Sequence, residues 1–407
     1  MMLPPEAAKR DRLSALPDDI LHRILRFVDA RECVGTLSLL SRRWRHLWSS
    51  SPYFTMPVDI SGDEVFGNRM LLLRDNAPLL TFSLHTATDS PDFVYQRRWM
   101  RHALIRGLRV LEVEVSCNRY FELPDCVFTC ETLEVISLSA GERGVLSHKS
   151  VCLPRLKKLH LSEVEFNDAS FAKKLSSGCP ALEDLSFSFC SFGWFKISSD
   201  TVKALSITWC RYKGIYVYAP NTCSLRLTVS GEVQLDGMPS LVSAWVCVLE
   251  KRLARRGYDI MATLCNVQKL ELIGFGSVLQ DMMEKSDNRA LQFSNLKSLV
   301  IEEDCVSSFY SPFAYFLRFA PNLAYLTFDR WNMHQSDPPE TGFIFEQEEG
   351  HIKNSCKLMN LVSGLHRDVE VLRIRLSKKQ DSIEEFHKLR GFLKEKIKAK
   401  EVIVVWF

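Results

Sequence analysis

One apolar spacing recurs down most of this chain: a residue followed by two more at i+3 and i+5. The members are Leu79/Phe82/Leu84, Leu108/Leu111/Val113, Leu133/Ile136/Leu138, Leu156/Leu159/Leu161, Leu182/Leu185/Phe187 and Val202/Leu205/Ile207. They continue as Thr222/Leu225/Leu227, Leu241/Ala244/Val246, Val267/Leu270/Leu272, Leu296/Leu299/Ile301, Leu323/Leu326/Phe328 and Val369/Leu372/Ile374. Most steps from one to the next are near-regular, at about two dozen positions each. A single triplet would mean no more than a half-buried strand. Twelve at this period predict a stack in which each turn supplies one short parallel strand and a returning helix or loop. Neighbouring turns then bury each other's apolar edges, and the residues between the apolar positions line a concave face.

A second signal lies eight residues after the start of two adjacent turns, where the leucine-rich-repeat pattern calls for Asn or Cys. There "LEDLSFSFC" ends at Cys190 and "VKALSITWC" at Cys210. Side chains at that point bond the backbone as the chain leaves its strand, so both cysteines read as structural rungs. The competing metal-site reading calls for a repeated C-x-x-C or a His pair, and neither accompanies them. The expected fold class is α/β, with a leucine-rich-repeat solenoid over residues 57–380 and a parallel sheet on its concave face. The register is lost at about 331–354, where "WNMHQSDPPETGFIFEQEEGHIKN" reads as an exposed insertion. Residues 381–407 are expected to close the stack. Ser382 opens a capping helix bearing Ile383, Phe386, Leu389, Phe392 and Leu393, and "VIVVWF" is strand-like.

Ahead of the repeats, behind a flexible tail at 1–10, stands "LPDDILHRILRFVDARECVGTLSLLSRRWRHLW". Asp18 or Asp19 can cap a helix whose apolar members are Ile20, Leu21, Ile24, Leu25, Phe27 and Val28. Asp29 and Glu32 have capping-box spacing for a second helix carrying Val34, Leu37 and Leu40. Ser41 can cap a third, with Trp44, Leu47 and Trp48 on one side. The small unit so formed, 11–56, carries more apolar surface than it can bury, because units below about 40 residues seldom stabilise themselves without disulfides, metal or a partner. Physics alone leaves two covers open, the rest of this chain or another chain.

The run Asp11-Arg12-Leu13-Ser14-x-Leu16-Pro17-Asp18-Asp19-Ile20-Leu21, then Ile24-Leu25, then "LSRRWRHLW", closely resembles the F-box of plant F-box proteins. "LKKLHLSEVEFNDASFAKKLSSGCPALEDLSFSFCSF" resembles the leucine-rich repeats that follow it in such proteins, with Gly178 and Pro180 suited to the turn. The resemblance implies docking on the Skp adaptor of a Skp/cullin/F-box ubiquitin ligase. The implied adaptor contacts are Leu16, Pro17, Ile20, Leu21, Ile24, Leu25, Leu37, Leu40, Trp44 and Trp48. Gly35 departs from the longer side chain usual in relatives and should weaken the second helix by roughly 0.5–1 kcal/mol relative to alanine. The FBD domain that ends many relatives has no clear pattern here.

The sequence offers no enzyme motif. H-E-x-x-H, G-x-S-x-G and G-x-x-x-x-G-K-[ST] are all missing, and the ten histidines have no metal-ligand spacing. Neither cofactor nor metal is expected, and "GFGSVL" at Gly274–Leu279 reads as a repeat turn rather than a nucleotide loop. A net charge of +3, from 52 basic against 49 acidic residues, provides no field to steer the molecule onto nucleic acid. Arg42, Arg43 and Arg45 read as a solvated face, not a base-reading surface. No run approaches the roughly 18 apolar residues of a membrane span, and the thirteen cysteines of so long a chain read as free thiols. The expected location is cytoplasmic, nuclear or both.

These readings make a non-catalytic receptor subunit the expected function: the F-box holds the ligase and the repeats hold the protein to be ubiquitinated. The alternatives are an F-box scaffold acting outside a ligase, or a hormone-dependent sensor with a ligand pocket in the repeats. Concave-face candidates for the target are Lys158, His160, Lys269 and Glu271, and above all Trp245, Tyr325, Asp329, Arg373 and Arg375. Aromatic and arginine anchors commonly dominate such interfaces.

Overall fold

A computed structural model describes residues 13, 15–58, 63–74, 77–86, 93–116, 121–146, 150–166, 170–248, 257–284, 291–302, 316–329, 371–376 and 401–406. The 331–354 insertion and the capping helix expected after Ser382 lie outside these residues. The chain divides into two compact units, Met1–Phe192 and Gly193–Phe407.

The first unit opens on three helices, α1 (Asp18–Leu25), α2 (Ala30–Gly35) and α3 (Arg42–Ser50). The caps of the last two are as the sequence predicts: Asp29 accepts from the amides of Arg31 and Glu32 at 2.7 and 2.9 Å, and Ser41 from that of Trp44 at 3.5 Å. The cap of α1 is not, because Pro17 occupies it and offers no side-chain acceptor. Asp18 and Asp19 instead fall in the first turn, where their charge suits the helix dipole. The second helix is also shorter than predicted. It stops at Gly35, and Leu37–Leu39 form a separate 3-10 turn, consistent with the weak helix-forming tendency of glycine.

Parallel strands follow: β1 (Tyr53–Val58), β2 (Thr81–Thr86), β3 (Val110–Val115), β4 (Val135–Leu146), β5 (Lys158–Phe166) and β6 (Asp184–Ser188). Phe54, Phe82, Leu111, Ile136, Leu159 and Leu185 stand in one register across all six. None of these side chains is more than 5% exposed. The first strand has no counterpart among the sequence triplets, since its opening apolar position is Ser51. Helices α4 (Asp63–Leu73), α5 (Val94–Ile105) and α6 (Phe171–Gly178) return between strands. Gly178 is indispensable in its place: a Cβ there would lie 2.0 Å from the carbonyl oxygen of Val151.

The second unit continues the same plan after β7 (Ser191–Ser198), with β8 (Ala204–Thr208), β9 (Arg211–Tyr218), β10 (Ser224–Val229) and β11 (Glu232–Asp236). Then come β12 (Ser243–Val248), α7 (Gly257–Thr263), β13 (Lys269–Ile273), α8 (Gly276–Glu284), β14 (Ser298–Glu302), β15 (Tyr325–Asp329), β16 (Val371–Leu376) and β17 (Glu401–Trp406). Leu205, Leu225, Ala244, Leu270, Leu299, Leu326, Leu372 and Val402 share a register through parallel pairings. All twelve sequence triplets therefore place their second and third members on strands, and the terminal "VIVVWF" adds one more. Gly274 of "GFGSVL", at φ +68, sits in the turn between β13 and α8.

Repeat length selects the returning element. Among the described residues, four of the longer steps, those that begin at Leu79, Leu156, Leu241 and Val267 and run to the next triplet, hold α5, α6, α7 and α8. The shortest steps, from Leu182, Val202 and Thr222, leave no room for a helix and hold the second strands β7, β9 and β11 instead. Strands β9 and β11 pair with each other, Ile215 opposite Val233. A strand rises about 3.3 Å per residue against about 1.5 Å in a helix, so it covers the return with fewer residues.

Candidate functional site

The helical unit sorts its apolar residues into an inside and an outside. Leu21, Leu25, Cys33, Trp44 and Leu47 make its core, and Leu16, Ile24, Val28, Leu37 and Trp48 pack against them half-buried. Burial pushes the Cys33 thiol up to about 12. His22 Nε2 lies 3.3 Å from both the Leu47 carbonyl and Ser50 Oγ, and Arg43 donates to Asp18 at 3.0 Å, so α1 is tied to α3. The ten contacts expected from sequence thus separate by exposure. Leu21, Leu25 and Trp44 are at most 3% exposed and belong to the core that holds the helices together. Pro17 is exposed, as are Ile20 and Leu40 at 39% and 52%.

Two further exposed residues stand outside those ten. Phe27 at 86% and Leu39 at 79% face water, the first because α1 ends at Leu25 and the second because the 3-10 turn rotates it outward. Helical periodicity places Phe27 on the buried stripe, and only the position of the helix end exposes the error.

Arg74 joins this unit to the first strand. The residue is 5% exposed, and its guanidinium donates to the carbonyls of Trp48 and Ser51 and stands over the Phe54 ring at 5.4 Å.

On the repeats of the first unit, the positions between buried ones form a groove of about 320 Å³. Parallel register places Ser83, Glu112, Ser137, His160 and Ser186 in one row and His85, Glu114, Ser139, Ser162 and Ser188 in the next. Ser83 donates to Glu112 Oε2 at 2.6 Å, His85 Nδ1 lies 2.9 Å from Glu114 Oε2, and His160 Nε2 lies 3.2 Å from Asp184 Oδ2. Of this surface, the sequence singles out only Lys158 and His160. Its serines escape a sequence reading because each is unremarkable alone, and parallel pairing gathers them.

The second unit distributes the remaining target candidates. Arg226, Trp245, Glu271, Val300, Thr327 and Arg373 occupy one row by register, and Ser224, Ser243, Lys269, Ser298 and Tyr325 another. Trp245 is half-buried with the Arg226 guanidinium 4.6 Å above its ring, and Tyr325 is 47% exposed. Asp329 ends β15, and Arg373 and Arg375 lie on β16. Among the described residues no group of three His, Cys, Asp or Glu is placed to hold a metal.

A small helical unit with apolar side chains left outside, set before parallel-strand repeats with polar faces, defines an interaction protein of adaptor type. Comparison with known proteins gives the family: the F-box domain matches residues 13–55, and "FBD-associated F-box protein At5g56370, LRR repeats" matches residues 96–243. The chain belongs to the plant F-box/LRR-repeat proteins. F-box/LRR-repeat protein At4g14103 of Arabidopsis thaliana is 31% identical over 335 residues, 73% of this chain and 86% of that protein. F-box/LRR-repeat protein At4g14096 of the same plant is 29% identical over 326 residues, covering 72% and 68% of the two. F-box/FBD/LRR-repeat protein At5g56420, also from Arabidopsis thaliana, is 36% identical over 210 residues, 49% and 47%.

Proposed function

We propose that this protein is the substrate-recognition subunit of a Skp/cullin/F-box ubiquitin ligase in the cytoplasm or nucleus. Its F-box docks on a Skp-type adaptor, which connects it to the cullin, and its repeats hold the target. The observation that carries the docking is the set Pro17, Ile20, Phe27, Leu39 and Leu40, apolar and exposed on a unit whose own core is already filled. Exposed apolar side chains concentrated on a small unit mark a protein interface. The receptor needs no catalytic group: holding a target lysine near a charged conjugating enzyme raises its effective concentration, which is the acceleration required. Arg74 supports this reading by making the link from F-box to repeats short and bonded rather than loose.

The test is capture of a Skp-type adaptor by the purified full chain, followed by ubiquitination in the reconstituted complex. Leu16→Ala with Ile24→Ala is a poor probe, because both residues pack on the F-box core and their loss, usually about 2–5 kcal/mol each, also loosens the unit. Ile20→Lys with Leu40→Lys changes exposed positions instead. This pair should abolish adaptor capture while the melting curve stays that of the parent. Undiminished capture by the double variant refutes the docking assignment.

A further inference from the structure

We infer that the groove on the first unit receives an extended, lysine- or arginine-bearing segment of a protein partner. The inference rests on the reading of the repeats as the target-holding surface and names the chemistry that one part of them selects.

Charge complementarity commits the groove to a cationic occupant. The molecule as a whole is net positive, at +3. The groove reverses that sign locally: Glu112 and Glu114 on β3 line it, and Asp184 on β6 stands at its edge opposite Lys158, the one lysine or arginine in the three rows that run in register from Tyr53, Thr55 and Pro57 across β1 to β6. Each carboxylate meets one side chain among the described residues, Glu112 with Ser83, Glu114 with His85 and Asp184 with His160. A carboxylate offers about four acceptor positions, so capacity for an ammonium or guanidinium remains.

The floor of the groove adds hydrogen-bonding capacity. Ser137, Ser139, Ser162 and Ser186 carry hydroxyls that bond to none of the described residues, and their small size leaves the groove open. Such hydroxyls donate and accept, which suits the alternating groups of an extended peptide backbone. From β2 to β6 the groove crosses four strand spacings, about 19 Å, the length of about six extended residues. Two cationic side chains on such a segment reach Glu112 or Glu114 near one end and Asp184 at the other.

Fluorescence anisotropy on the purified full chain tests this with three labelled twelve-residue peptides of serine and glycine, carrying four lysines, four glutamates or four glutamines. The lysine peptide should bind, should weaken steeply as salt rises from about 50 to 300 mM, and should outcompete the other two. Glu112→Gln with Glu114→Gln should lower its affinity about tenfold, whereas Glu131→Gln, exposed and outside the groove, should leave it unchanged. Equal binding of the lysine and glutamate peptides, no binding of the lysine peptide, or full affinity in a folded double variant overturns the inference. If the double variant loses its melting transition, the comparison of peptides on the parent protein still decides. Adaptor capture, run in parallel, separates the two readings: capture without lysine-peptide binding sinks the groove alone, and peptide binding without capture sinks the ligase role alone.

Discussion

His102 shows how a single half-buried side chain makes stability depend on pH. It lies on α5. Burial first, then the nearby cations Arg106 and Arg74, hold its ring below the usual histidine value of 6.5. The unfolded chain therefore binds the proton more readily than the folded one, so stability is full above pH 6.5 and is lost as pH falls through the folded value. Urea denaturation between about pH 7.5 and 5 should show this loss, and His102→Gln should flatten it. An acid limb that is unchanged in the variant places the effect elsewhere. At the same scale, Trp44 and Leu21 show what sequence conveys and what it omits. Each stands out in the sequence, yet near-complete burial makes them holders of the F-box shape, while Phe27, which periodicity groups with the buried stripe, stands outside.

The repeat is the element that the sequence describes best, and its turn out of the strand is the part most open to test. The Cys190 thiol donates to the carbonyls of Ser188 and Leu161 at 3.4 Å, and that of Cys210 to Thr208 at 3.4 Å, as expected of rungs that satisfy the departing backbone. In the next repeat the same position, eight residues past Thr222, is Ser230, whose hydroxyl donates to the Cys210 carbonyl at 2.6 Å. The residue just before the rung is left-handed in two cases, Phe189 at φ 53 and Trp209 at φ 57, so the turn depends on being held. Cys210→Ala should cost about 1–2 kcal/mol in urea denaturation through the lost bond and the small void. Cys210→Ser should cost less, since Ser230 shows that a hydroxyl serves there; equal costs would assign the whole effect to volume. Thr222 explains the weakest triplet in the same terms: it is fully buried at an apolar position because its hydroxyl donates to the Val202 carbonyl at 3.1 Å.

For the whole molecule, the proposed receptor role requires that its two binding faces fail independently. Charge reversal at Arg373 and Arg375, on β16 far along the sequence from the F-box, should lower target capture and ubiquitination without altering adaptor affinity, read by pull-down of each partner from the same preparation. Loss of adaptor binding in that variant would contradict separate faces. The sequence by itself determined the repeat: the i+3, i+5 spacing assigned all twelve triplets to strands, because burial on a strand's inner face is a local and periodic demand. It also determined the capped helices of the F-box, since Asp29 and Ser41 act within their own turns. Only the tertiary structure decided which apolar residues remain outside, because Leu40 and Leu25 are chemically alike and differ in whether another helix reaches them. It alone assembled the serine and carboxylate groove, whose members lie a full repeat apart from strand to strand and meet through parallel register, a relation that no single stretch of sequence encodes.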